Sequence, residues 1–408
     1  MNQYGLPANT APLLAWAPGP VREPVTGFPL DVDPPGQAVA DLASVDVDTG
    51  NPTAGHKIQR QRGVPLVVFP YPSQLSSHHV MVRPRVHEWF ISKGILSGHW
   101  LANHLVADYT LFTAMMHPPC TRDRLERLAR YYSVWFAMET HAETLWGHSG
   151  ASNRWFSSAL EYLDTGRADL RDPWTAAFAE AVEGLRLPPD LRRRHARWKR
   201  DWIEAEMRVA GYGNKPHPDF LQDRHHSLGN MLALNVFTPY SLNLDLPSSF
   251  QEHPVIQSLL WALTRASSWQ SDLLSLEVED ARGEKVNTVN VVCEMHGLSR
   301  QEGVTEIHRL FHADTAEAQR LQREALTQDF ALPEHLTRTY LDAAFATTAG
   351  FNCWNQISDR YKPELYRTTP QDEGDTNPTP SRPTPSWVPG PRGLGTSAAR
   401  ITLPRTSH

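Results

Sequence analysis

The stretch Ser271-Asp272-Leu273-Leu274-Ser275-Leu276-Glu277-Val278-Glu279 follows a long apolar run, Val255 to Trp269, and reads as the last turns of a helix. On a helix, positions i, i+4 and i+8 lie along one face. Ser271, Ser275 and Glu279 hold those positions, so two hydroxyls and a carboxylate fall in a row. One divalent cation such as Mg2+ accepts such hard oxygen donors and keeps waters or phosphate oxygens in its other sites. Leu273, Leu274 and Leu276 turn to other faces and can pack. Taken alone, the stretch also fits a helix end of mixed polarity; the rest of the chain decides between the two.

Helical spacing recurs around it. From Pro84 onward, VHEWFISKGIL and then WLANHLVADYTLFTAMMHP place apolar residues at helical intervals, and His117-Pro118-Pro119 stops the second run. A helix reopens with Thr121 or Asp123 as its cap and runs to Gly147. Further helices are predicted over 154–165, 173–185, 190–209, 219–237, 255–279, 299–326, 333–349 and 351–358. No segment alternates at period two for long, so no sheet is expected. The plan of helices and short loops predicts an all-α single-domain helical bundle.

The ends differ in composition. Residues 1–63 are rich in Pro, Gly, Ala, Asp and Val without a sustained period, and read as a disordered tail. VPLVVFPYP, Val64 to Pro72, is apolar but interrupted by prolines, so an extended strap across the domain is expected. The folded domain is read as 64–365, and the Pro-rich stretch 366–408 as a second disordered tail. Both tails are expected to be dispensable for folding.

The 408 residues carry a formal charge of −6, which supplies no bulk basic field for nucleic acid or an anionic membrane. Three isolated cysteines, Cys120, Cys293 and Cys353, form no paired framework and point to a reducing cytoplasm. No apolar run is long enough to span a bilayer, and the N-terminus lacks the charged start of a secretory signal.

Four features now fall in an order that resembles a class I terpene synthase of the microbial type. The Ser271 stretch resembles the family's (N/D)DxxSxxxE magnesium motif, with Ser271 in place of the usual Asn or Asp, Asp272 second, and Ser275 and Glu279 in the remaining ligand places. Gly283, Lys285 and Asn287 continue the pattern. Ser358-Asp359-Arg360-Tyr361, preceded by Asn352 and Trp354, resembles the terminal (S/T)xRY element, in which Arg and Tyr hold a diphosphate; a guanidinium suits phosphate through permanent, bidentate contacts. Asp219 to Gly229 resembles the YLxxRxxTxG stretch. It implies Arg224 as diphosphate sensor, Ser227 as linker, and Leu228 with Gly229 as a kinked segment carrying an effector carbonyl.

The fourth feature departs from the family. Its Asp-rich first motif should follow the aromatic helix ARYYSVWFAMETHAETLWG, but Glu139 and Glu143 stand where aspartates are usual. They are one turn apart and share a face. His141 fits a structural histidine better than a ligand.

The resemblance implies a deep apolar pocket and a Mg2+-dependent cyclase that ionises an isoprenoid diphosphate. The substrate would be farnesyl diphosphate, geranylgeranyl diphosphate or a bicyclic diterpenyl diphosphate. It implies a trinuclear Mg2+ cluster on the substrate diphosphate, with Ser271, Ser275, Glu279, Glu139 and Glu143 as ligands and Arg224, Arg360 and Tyr361 in catalysis. Asp272, Ser227, Leu228, Gly229, Lys285, Trp135, Phe112 and Trp354 would contact substrate. Trp89, Phe90, Tyr109 and Phe136 join them as candidates for stabilising a carbocation. A homodimer is compatible with the family. The alternative is an inactive relative that binds an isoprenoid or a protein; prenyl elongation would need two Asp-rich motifs, and the chain has neither.

Overall fold

Asp108 divides what the sequence pattern reads as one helix. Its backbone sits in the left-handed region (φ 52°), and its carboxylate accepts a hydrogen bond from the Leu111 amide at 2.9 Å. That bond caps a new helix by satisfying one of its orphan N–H groups. The apolar period continues across the break, which is why periodicity alone cannot see it.

The computed structural model describes residues 64, 67–145, 151–212, 215, 217, 219–281 and 286–361; residues 98–100, 140–145, 151–154, 281 and 361 are described by backbone alone. Among the described residues there are helices and no strand, so the expected all-α class holds. In chain order the helices are α1 (His79–Ser92), α2 (Gly98–Ala107), α3 (Tyr109–Met116), α4 (Arg122–Leu145), α5 (Ala151–Thr165), α6 (Pro173–Leu185), α7 (Pro189–Gly211), α8 (Phe220–Ser227), α9 (Pro254–Ala281), α10 (Thr288–His296), α11 (Arg300–Ala325) and α12 (Glu334–Ile357). Both tails and the predicted helix stop at Gly147 lie outside the described residues.

Helix α9 is central: it packs along α11 and touches α8, α10 and α12. Ile256, Leu259, Leu260, Leu263 and Ala266 on it are fully buried. Helix α1 starts before Pro84 and holds that proline inside it. Helix α10 and the short turns Thr238–Leu242 and Ser248–Gln251 are not foreseen by the sequence pattern.

Two helices were expected around Gly350, but α12 runs through it unbroken. A Cβ on Gly350 would lie 2.1 Å from the Met115 carbonyl oxygen. The glycine therefore lets α12 and α3 meet backbone to backbone instead of ending a helix. The strap before α1 lies on the same helix. Val67 and Phe69 are buried, Gln356 Nε2 donates to the Val67 carbonyl at 2.5 Å, and the Phe69 and Tyr71 rings sit against Phe345.

Candidate active site

The row expected on α9 is aligned and buried. Ser271, Ser275 and Glu279 are each no more than 1 % exposed. Asn287, at the N-cap of α10, donates from Nδ2 to Glu279 Oε2 at 2.7 Å and to the Asp272 carbonyl at 2.9 Å, while its own Oδ1 accepts from Val289 N. Burial, and then the charge of Asp272, push the Glu279 carboxyl up to about 7. Ser275 Oγ donates to the Asp272 carbonyl at 3.4 Å.

Asp272 does not reach the pocket. One residue on from Ser271, it turns toward α8 and α10, where it pairs with Arg224 at 2.7 Å and accepts from Thr288 N at 3.1 Å. It was expected to contact substrate; the geometry makes it the counter-ion that holds Arg224. Burial works against the guanidinium's charge, and Asp272 more than restores it, so the Arg224 pKa is raised. Nη2 of Arg224 lies 3.4 Å from Ser271 Oγ, and Nη1 has no hydrogen-bond partner among the described residues.

The predicted helix 219–237 breaks three residues beyond the turn that carries Arg224. Ser227 Oγ donates back to the Arg224 carbonyl at 3.3 Å, and the Ser227 carbonyl accepts from Trp202 Nε1 at 2.8 Å. Gly229 takes φ 75°, and a Cβ there would lie 2.3 Å from the Trp135 ring. Leu232 N, which a regular helix would give to the Leu228 carbonyl, bonds the Gly229 carbonyl at 3.1 Å. The chain resumes as Asn230–Leu232 and then as a π-helical turn, Ala233–Phe237, a widening often found beside functional sites.

These elements bound a pocket walled by Phe112, Tyr132, Trp135, Phe136, Phe351 and Trp354, with Leu228 and Gly229. Glu139, Ser271 and Arg360 bring charge and hydroxyl to it. Arg360 Nη2 is 3.8 Å from Glu139 Oε2, with both side chains almost fully buried; Arg360 also donates to Tyr109 OH at 3.2 Å and lies over the Phe136 ring. Tyr109 stacks on Phe136 with ring centroids 4.0 Å apart. Trp89 and Phe90 do not belong here. Trp89 donates to Glu180 at the surface, and Phe90 stacks on His104, because α1 turns these faces away. Lys285, and the side chains of His141, Glu143 and Tyr361, lie outside the described residues.

Motif reading missed Lys199 and Glu206. Both are buried on α7, with Nζ of Lys199 3.9 Å from the Trp135 ring centroid and 3.6 Å from that of Trp202. Burial first, and Glu139 next, raise the Glu206 carboxyl well above its usual range. Burial drives the Lys199 amine well below its own range, against the pull of Glu139 and Glu206. A signal was available: His195, Lys199, Trp202, Glu206 and Val209 share one helical stripe.

The donor chemistry fits Mg2+. Among the described residues no three His, Cys, Asp or Glu side chains converge as a metal site, so a cation here would rely on the hydroxyls of Ser271 and Ser275 beside Glu279. All three donors are oxygen, which Mg2+ prefers. The raised Glu279 pKa reports a carboxylate whose charge is poorly compensated, a cost that a bound dication would offset.

Residues 192–317 match the family described as "Terpene synthase family 2, C-terminal metal binding". The chain is 24 % identical over 329 residues to a 4-epi-cubebol synthase ((2E,6E)-farnesyl diphosphate cyclizing) of Streptosporangium roseum, covering 78 % of this chain and 96 % of the relative. It is 40 % identical over 65 residues to sesquiterpene synthase 3 of Postia placenta, but this is 16 % of the chain and 18 % of that protein. With relatives from Cyclocybe aegerita and Coprinopsis cinerea the match spans 41 % and 49 % of their length. The fold is similar to the crystal structure of linalool/nerolidol synthase from Streptomyces clavuligerus, with a TM-score of 0.63 at 18 % identity over 71 % of this chain and 100 % of that one. Residues 192–317 thus match terpene synthase family 2, and the chain is similar over most of its length to a bacterial relative of that kind and, in fold, to a second bacterial synthase.

Proposed function

We propose that the protein ionises a prenyl diphosphate and cyclises the resulting carbocation to a terpene, with farnesyl diphosphate as its substrate. The observation that carries this reading is the meeting of Ser271, Glu139 and Arg360 at an aromatic pocket, with Arg224 Nη2 3.4 Å from Ser271 Oγ and its Nη1 left unpartnered. The named activity of the Streptosporangium relative favours the fifteen-carbon substrate.

Ser271, Ser275 and Glu279 on α9, with Glu139 on α4, would hold Mg2+. When bound, Mg2+ supplies positive charge to a diphosphate leaving group. Arg224 gives that group a further N–H donor from a buried, fixed position, and Arg360 a second cation. Asp272 keeps Arg224 aimed, so little reorganisation is needed as charge develops; preorganised donors of this kind are among the largest catalytic terms. The aromatic walls exclude water and offer π-faces to the cation without acting as nucleophiles. Glu143, Lys285 and Tyr361 complete the proposed set of contacts.

The test is incubation with Mg2+ and geranyl, farnesyl and geranylgeranyl diphosphates in turn, following diphosphate release and extractable products. A cyclic fifteen-carbon product from farnesyl diphosphate is expected. Tight binding of all three without release of diphosphate would instead make the protein an inactive isoprenoid-binding relative.

A further inference from the structure

Lys199 has no role in the scheme above, yet it is one of the largest fully buried side chains in the molecule. Its Nζ has no hydrogen-bond partner among the described residues. A buried amine normally finds an oxygen; this one finds two indole rings, at 3.9 Å from the Trp135 centroid and 3.6 Å from the Trp202 centroid. Both rings are fixed from elsewhere. Trp202 Nε1 is bonded to the Ser227 carbonyl, and the six-membered ring of Trp135 is seated against Gly229. Trp135 lines the pocket and Lys199 does not.

We propose that Lys199 is a specificity-determining positioning residue, which sets the pocket's attraction for a cation from behind its Trp135 wall. The inference rests on the carbocation reading for its consequence, though not for its measurement. An ammonium places a full positive charge behind the indole, and a neutral amine places N–H dipoles there. Either draws π-electron density toward α7 and leaves the pocket less attractive to a cation near Trp135. Glu139 and Glu206 face the same amine, and their pull on it is part of the balance. In turnover, this directs positive charge toward Phe112, Phe136 and Trp354 and away from Trp135, and so helps to select which carbon of the cation is quenched.

The experiment compares wild type with Lys199→Met, which keeps length and apolar bulk but removes every N–H, and with Lys199→Gln, which keeps N–H donors without the charge. Binding of choline and of its neutral carbon isostere, dimethylbutanol, is measured by calorimetry without Mg2+ or diphosphate. The expected result is about fivefold tighter choline binding in Lys199→Met, a smaller gain in Lys199→Gln, and no change for the alcohol. Equal gains for both probes would mean only an enlarged cavity and would overturn the proposal, as would unchanged choline binding in a folded variant. If Lys199→Met fails to fold, Lys199→Gln decides on the same criterion. Where the wild type turns over farnesyl diphosphate, the ratio of products should also change severalfold in Lys199→Met at a KM within twofold of wild type. A wild type without turnover would sink the proposed function while leaving the choline result to stand or fall by itself.

Discussion

Arg224 and Asp272 form an ion pair of 2.7 Å in which neither side chain is more than 1 % exposed. Removing one partner of such a pair strands a charge in the core, which typically costs about 3–5 kcal/mol. Asp272→Asn should therefore lower unfolding stability by about that much in a denaturant titration. The double variant Arg224→Met with Asp272→Leu should recover most of the loss without restoring activity. A double variant as unstable as the single one would show that the pair stabilises the fold by more than charge balance.

Glu279 is the one anionic donor in the α9 row, whereas Glu139 is already held near Arg360. Glu279→Gln should raise the Mg2+ concentration needed for half-maximal turnover more than Glu139→Gln does, by on the order of tenfold or more. Circular dichroism confirms folding in each. The opposite order would make the divergent α4 motif the principal metal site.

Gly350 and Gly303 separate a rigid obstacle from a soft one. A Cβ on Gly350 meets the Met115 backbone at 2.1 Å, while one on Gly303 meets the Cys293 Sγ at 2.2 Å. Cys293 is half-buried and its side chain can swing aside. Gly350→Ala should cost about 3 kcal/mol or more, and Gly303→Ala about 1 kcal/mol or less, in chemical denaturation. Equal losses would show that α3 and α12 can separate more easily than their contact suggests.

Burial holds His104, His117 and His195 at pKa values of about 3, against 6.5 when unfolded. These folded values are depressed, so the unfolded chain binds more protons between the two. The stability is full above pH 6.5 and is lost as pH falls toward 3. Each histidine contributes a slope of up to about 1.4 kcal/mol per pH unit. Glu206 and Glu279, raised by burial, act in the opposite sense as pH falls from 7, but they are fewer. The melting temperature should drop between pH 6.5 and 5, and His117→Gln should flatten that drop. An unchanged slope would mean that His117 is solvated in the native state.

The sequence made the α9 row legible because helical spacing alone aligns Ser271, Ser275 and Glu279. Arg224 and Arg360 were found through motif order, since nothing local distinguishes either from a surface arginine. The break at Asp108 and the continuity through Gly350 were misread for one reason. A left-handed cap and a backbone-to-backbone contact depend on a partner helix that local spacing does not contain. Asp272 was misassigned because its direction is set by α8 and α10, and Lys199 was passed over because a lysine on a basic helix normally faces water.

The strap bonded to α12 has a consequence for synthesis of the chain. Val67 and Gln356 are 289 residues apart, and translation adds about 5–20 residues per second. The apolar side chains of Val67 and Phe69 thus leave the ribosome roughly 15–60 s before the helix that covers them exists. Until then they are an open hydrophobic segment of the nascent chain, suited to a chaperone's grip. Closure of the fold waits for α12, and a chain cut short before α12 would leave that segment uncovered.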